Sequence, residues 1–275
     1  MSGAAVITGA GRGLGLEIAR SLAARGFAVN ITDVDAGAAD DAAGELGLPA
    51  WASTLDVRDA EACRAVAAAA AARASSLAVW VNNAGVLVTG HVWEHDEAVR
   101  RALFEVNTLG TINGTLAALE LMRPRDRGHV INIVSLAGLG APPGEALYAA
   151  TKHGAIAFTL GTLSDLRRSG SRGISISAVC PDGIWTPMLH DRLDDPDAAP
   201  SFSGTLLSAD QVAARVVGLL DRPRAVLSLP RWRGALVRAF DAFPGLSARL
   251  MPLWMKDARR RQRRWKERIE RGGEP

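Results

Sequence analysis

The stretch Thr8-Gly9-Ala10-Gly11-Arg12-Gly13-Leu14-Gly15 limits the possible folds of this chain more than any other. An apolar run, Ala4-Ala5-Val6-Ile7-Thr8, leads into it. Ile18 and Leu22 follow at helical spacing as far as Arg25, and Gly26 suits the helix end. Four glycines between a short strand and a helix predict a tight turn that carries one directly into the other. The same alternation then repeats. Residues 28–32, 50–55, 78–81, 130–134, 174–179 and 225–229 read as further strands. Residues 60–74, 94–122, 148–167 and 208–220 read as helices, the last opened by a Ser-x-x-Gln capping box. About seven strands, most of them followed by a helix, predict an α/β chain: one doubly wound parallel sheet covered by helices on both faces. Right-handed crossovers then bring the C-terminal strand ends to one edge, where ligands bind.

Of the 275 residues, 1–230 read as a single domain and 231–275 as a basic helical extension rich in Trp and Arg. The longest apolar runs fall short of the roughly 18 residues a membrane span needs. The first seven residues carry no basic leader, so secretion is not expected. Two cysteines, Cys63 and Cys180, cannot build a disulfide framework, which fits a reducing cytoplasm. Charge is unevenly spread. Residues 222–275 hold 15 Arg or Lys against 5 Asp or Glu, whereas residues 1–221 hold 17 against 24. A basic tail on an acidic body predicts separate work for the tail.

The glycine turn sits where a dinucleotide is held. Glycines let the backbone approach a pyrophosphate, and the helix N-terminus offers free N–H groups and its positive dipole end. Asp33 ends the second strand 18 residues beyond Gly15. A carboxylate there accepts the ribose hydroxyls and repels a 2′-phosphate, favouring NAD over NADP. Arg12 pulls the other way, because a guanidinium in the turn could pair with that phosphate.

Further along come Asp56-Val57, Asn82-Asn83-Ala84-Gly85, Asn107, Ser135 and Tyr148-Ala149-Ala150-Thr151-Lys152. On these motifs, in order and at fitting spacing, the chain resembles the short-chain dehydrogenase/reductase family over residues 4 to about 230. The resemblance implies a Rossmann fold, an NAD(P)-dependent oxidoreductase and a homodimer or homotetramer formed through the helices of residues 94–122 and 148–167. It further implies that Gly9, Gly11, Arg12, Gly13, Leu14, Gly15, Asp33, Asp56, Val57, Asn83, Ala84 and Gly85 hold the cofactor. Tyr148, Lys152, Pro181, Ile184 and Thr186 join them on the nicotinamide side. Asn107 is expected to hold a water linking Lys152 to solvent.

The chemistry of the Tyr/Lys pair follows from the residues themselves. Tyr148 is the only Tyr, and Lys152 the only Lys before residue 256. At i and i+4 on a helix they share a face. An ammonium beside a phenol favours the phenolate, so such a Tyr can exchange a proton with an alcohol or ketone oxygen. Ser135, at a strand end, can hold the same oxygen. Catalysis is therefore assigned to Ser135, Tyr148 and Lys152, with Asn107 added as the resemblance implies, converting a secondary alcohol to a ketone or the reverse. A non-catalytic redox sensor and an NADP-dependent carbonyl reductase stay open as alternatives.

One position departs from the family's Pro-Gly-x-x-x-Thr loop. Here it reads Pro181-Asp182-Gly183-Ile184-Trp185-Thr186, so Asp182 stands in place of Gly, which leaves the loop geometry and the substrate pocket open, with a solvent-facing acid as one reading. The substrate loop, 183–205, brings Trp185, Met188 and Leu189 against Leu136, Leu139 and the Pro142-Pro143-Gly144 loop. That apolar lining suggests a hydrophobic substrate. His91, Glu94 and His95 have no third ligand partner, so no metal is expected.

The extension carries apolar residues through Trp254, interrupted by Pro244 and Pro252, and then the strongly basic residues 256–271. A lid or subunit contact is the first reading and a membrane-surface anchor the second. Nucleic acid is not expected, because no recognition motif accompanies the charge.

Overall fold

A computed structural model describes residues 3–271 of the chain. Residues 1–2 of the predicted leaderless N-terminus and 272–275 of the predicted extension lie outside the described residues. The order along the chain is β1 (Ala4–Thr8), α1 (Gly13–Ala24), β2 (Ala28–Asp33), α2 (Ala36–Leu46), β3 (Ala50–Thr54), α3 (Ala60–Arg73) and β4 (Leu77–Asn82). Then come α4 (Glu97–Phe104), α5 (Gly110–Met122), β5 (Gly128–Ile133), α6 (Ala146–Arg168), β6 (Ile174–Pro181), β7 (Ile184–Trp185) and α7 (Pro187–His190). The chain closes with β8 (Leu207–Ser208), α8 (Ala209–Val217), β9 (Val226–Leu229), α9 (Arg231–Asp241) and α10 (Pro244–Glu270).

Seven strands form one parallel sheet in the order β3-β2-β1-β4-β5-β6-β9. Strands buried on both faces need continuous apolar runs rather than alternation, and every residue of β1 is buried. One face packs Ile7, Leu22, Ile31 and Val216 together. The other packs Trp80, Leu119, Met122 and Ile176. The strand order reverses between β1 and β4, and a crevice opens there at the C-terminal strand ends.

Several local expectations change. A helix, α2, fills residues left unassigned above: Asp35 caps it by accepting from the Ala38 N–H at 3.1 Å, and Ala39 and Ala42 supply its buried face. The stretch 94–122 divides into α4 and α5 around a π-helical turn at Glu105–Leu109. The capping box at Ser208 does not form, and the hydroxyl turns to Asp210, holding that carboxyl below the usual range. Pro252 does not interrupt the extension. It lies inside α10, whereas Pro244 begins that helix, where a missing N–H costs nothing.

Candidate active site

Thr8 to Gly13 build the first wall of the crevice. Gly9 has φ +59°, and a Cβ there would lie 2.8 Å from Ala84 Cα. A Cβ on Gly15 would lie 2.5 Å from the Gly9 carbonyl. Both positions therefore require glycine, so that α1 can sit against the strand ends. Asn83 braces the turn by donating from Nδ2 to the carbonyls of Thr8 at 3.0 Å and Gly9 at 2.8 Å. Asp33 closes the far end. Its carboxylate accepts from the Gly11 N–H at 3.0 Å and the Asp35 N–H at 3.2 Å. Arg12 is exposed beside it.

The crevice is a single cleft of about 1160 Å³. Gly9, Arg12, Gly13, Leu14, Asp33, Asp56 and Val57 line one end. Asn83, Ala84, Gly85, Ser135, Tyr148, Lys152, Pro181, Ile184 and Thr186 line its middle. Gly11 and Gly15 are not in the wall and shape the turn from behind.

Ser135 follows β5 and caps a short 3₁₀ turn, accepting from the Ala137 N–H at 3.1 Å. Tyr148 and Lys152 project from the first turns of α6. The Lys152 ammonium lies 5.5 Å from the centre of the Tyr148 ring and donates to the Ile133 carbonyl at 3.2 Å. Burial lowers the Lys152 pKa to about 8. Burial and the nearby Glu145 raise the Tyr148 phenol, while the Ser135 hydroxyl pulls it down. The expected depression of the phenol by Lys152 does not appear in the protein alone: desolvation dominates, and the lowering influence comes from the Ser135 hydroxyl. Asn107 sits behind the wall on the π-helical turn. Its amide accepts from the Val86 N–H at 2.8 Å and donates to the Val86 carbonyl at 2.9 Å and to Thr151 Oγ1 at 3.1 Å. Those bonds fix the Gly85–Val86 backbone, and the Asn107 Oδ1 and the Lys152 ammonium both flank Gly85, at 3.2 and 3.5 Å from where a Cβ would stand.

Of the residues expected to meet substrate, Leu136, Met188 and Leu189 line the cleft. Leu139 and Trp185 do not. Leu139 packs beneath α9 beside Val237, and Trp185 packs with Phe202 and Trp265 in a satellite cluster. Each fills a gap left by the extension, which residue spacing alone could not reveal. The extension itself forms the roof, with Leu236, Val237 and Phe240 of α9 and Leu250, Met251 and Trp254 of α10 lining the cleft.

Asp182 does not face solvent. Its side chain is 6 % exposed, and its Oδ2 accepts from Arg233 Nε at 2.9 Å. Burial raises the carboxyl while Arg233 lowers it. Arg233 also donates to Ser203 Oγ at 2.9 Å. One wall of the substrate end is therefore polar, and Glu145 extends it, accepting from Ser201 Oγ at 2.7 Å.

Burial pushes Glu145 up to about 7, against 4.5 for a free side chain. A carboxyl with a raised folded-state pKa binds its proton more tightly when folded. Its cost to stability therefore develops as pH rises from 4.5 to 7, and is complete above that. Glu145→Gln is expected to unfold at a higher temperature than the wild type at about pH 8, with the gap narrowing at about pH 5. Thermal melts of both proteins at the two pH values check this. A gap that does not change with pH counts against it.

The model of the family described as short chain dehydrogenase matches residues 3–197. The chain belongs to that family of oxidoreductases. It is 34 % identical over 232 residues to the 1-deoxy-11-beta-hydroxypentalenate dehydrogenase of Streptomyces exfoliatus, covering 82 % of each chain. It is 33 % identical over 205 residues to 2-(S)-hydroxypropyl-CoM dehydrogenase 3 of Xanthobacter autotrophicus, covering 74 % of this chain and 79 % of that one. Among solved structures, a short chain dehydrogenase/reductase from Burkholderia phymatum in complex with NAD superposes with a TM-score of 0.82 at 27 % identity. It covers 90 % of this chain and 95 % of that one.

Proposed function

We propose that the protein is an NAD-dependent dehydrogenase that interconverts a secondary alcohol and a ketone with a substantial apolar body. The observation that carries this reading is the meeting of Ser135, Tyr148 and Lys152 in one cleft with the glycine turn and Asp33. The turn fits a dinucleotide: positive-φ glycines at Gly9 and Gly13 leave room for a pyrophosphate at the start of α1. Asp33 would take the adenosine ribose, and Ile184 and Thr186 the carboxamide side. Bound there, a nicotinamide would accept or return the hydride.

The chain's own groups handle the oxygen. Ser135 holds it and supports developing charge. Tyr148 exchanges the proton with it, as a donor for a ketone and as an acceptor for an alcohol. Lys152, tethered to the Ile133 carbonyl, adds positive charge that favours the phenolate when protonated. Leu136, Met188 and the roof exclude water from the reacting end. The exposed Phe104, Leu109 and Leu116 around α4 and α5 support association of subunits through that face.

The test is a panel of secondary alcohols with NAD and NADP, reading reduced nicotinamide by absorbance. Turnover with NAD supports the reading, and none on any alcohol or ketone refutes it. Asp33→Ser is expected to improve relative use of NADP by about tenfold or more, since removing one like charge opposite a phosphate is worth at least that. An unchanged ratio would favour the second reading, in which Arg12 already serves a 2′-phosphate.

A further inference from the structure

The helical extension has two faces, and only one has a partner. Its C-terminal half is fastened to its own body. Gln262 Nε2 donates to the carbonyls of Arg192, Leu193 and Asp195, Trp265 packs into the satellite cluster, and Lys266 and Arg259 pair with Asp194 and Asp197. The outward face of the first half is different. Trp232, Leu236 and Phe240 recur every four residues along α9, and Trp232 is 60 % exposed. Phe243 in the turn is 65 % exposed, and Leu246, Leu250 and Leu253 continue the row along α10. Seven large apolar side chains thus stand in solvent within 22 residues. Exposed Arg231, Arg238, Arg249 and Lys256 are interspersed with them, against a single Asp241 up to that point. Leu236, Phe240 and Leu250 belong both to this surface and to the lining of the cleft, so the apolar patch is continuous with the cleft mouth.

We propose that this face of α9 and α10 is a docking surface for an anionic phospholipid bilayer, with the cleft mouth turned toward the acyl chains. Apolar side chains fringed by guanidinium groups match the boundary between acyl chains and phosphate headgroups. No helix among the described residues is long and apolar enough to cross a membrane, so the contact is peripheral. A second copy of the chain is a poorer occupant. In a two-fold contact the same patch meets itself, and the Arg fringe would face its own like. The acidic loop that could receive another copy's tail is already paired with the chain's own Arg259 and Lys266. One corollary rests on the dehydrogenase reading above: an alcohol or ketone dissolved in lipid would reach Ser135 and Tyr148 without crossing water.

Flotation of the full-length protein with vesicles tests the surface directly. The probes are phosphatidylcholine vesicles with and without phosphatidylglycerol. The protein is expected to float with the anionic vesicles and to be partly released by salt, which screens the Arg contribution. Phe243→Glu and Leu253→Glu should each weaken binding by about tenfold or more, the loss expected when a large apolar side chain no longer enters lipid. Neither residue lines the cleft, so turnover of a short water-soluble ketone should be unchanged. Turnover of a long-chain ketone carried in anionic vesicles should fall in both variants. The proposal is overturned if the wild type does not float with anionic vesicles, or if both variants float equally well. It is also overturned if the substitutions instead convert a dimer to a monomer with no flotation at any stage. Flotation requires no turnover, so failure of the dehydrogenase reading would not be mistaken for failure of the surface.

Discussion

Replacing Tyr148 with Phe is expected to lower alcohol–ketone turnover by about 10²- to 10⁴-fold, the contribution of a well-placed proton donor or acceptor. Dinucleotide affinity should stay at the wild-type level, because the ring still packs against the Lys152 side chain and only the hydroxyl is removed. Retained binding with lost turnover is the signature of a proton-transfer group. Equal losses of both would point to a structural role. Tyr148 is the only tyrosine, so ionisation of one phenol can be followed by ultraviolet difference absorbance without interference from a second. Burial and Glu145 raise that phenol, so tyrosinate absorbance should appear only at strongly alkaline pH in the unliganded protein. Alcohol oxidation, which needs the phenolate, should accelerate as pH rises, and ketone reduction should be favoured on the acid side. Opposite slopes in the two directions would place the titration on this group; parallel slopes would not.

Replacing Arg233 with Met is expected to cost about 3–5 kcal/mol of stability, the loss seen when one member of a buried ion pair is removed. Asp182 and Arg233 are 6 % and 11 % exposed, so the stranded carboxylate could not recover its hydration. The cost should ease on acidification, because Asp182 is then neutralised, and removing the guanidinium moves its pKa further up. The double substitution Asp182→Asn with Arg233→Met should restore much of the loss, since no charge is left uncompensated. Denaturant unfolding of the two variants and the wild type measures all three quantities. A single variant as stable as the wild type would show that the pair does not hold the roof down. The roof should loosen along with the pair, raising KM for the alcohol more than it lowers kcat, with the dinucleotide site untouched.

The parts of the fold that were legible in sequence are those set by neighbouring residues. A glycine turn between an apolar run and a helix, and Tyr and Lys one helical turn apart, carry their geometry within a few positions. Position α2 was missed because alanines give little amphipathic contrast, and its clearest mark is the single cap at Asp35. The surroundings of Asp182 stay open in the sequence because its partner lies 51 residues away, and nothing local distinguishes a solvated Asp from one buried against an Arg. Glu145 is hidden for the same reason: its hydrogen-bond partner Ser201 lies 56 residues on. Leu139 and Trp185 read as substrate contacts in the sequence because the helices that cover them belong to the extension. Lys152 beside Tyr148 is visible in the sequence, but the cost of burying both groups is set by the surrounding atoms.

The family match stops at residue 197, while the roof begins at Arg231. The stretch that holds Ser135, Tyr148 and Lys152 and the stretch that roofs the cleft are thus written in separate parts of the chain. They meet through polar anchors, among them the Asp182–Arg233 pair and the Gln262 amide that gathers three carbonyls, and through the packing of Trp265 and Val237 on the body. Such a division makes the roof a replaceable part. A different pair of helices carrying the same Arg and Gln anchors could reshape the entrance while Ser135, Tyr148 and Lys152 keep their places on the strand ends and α6.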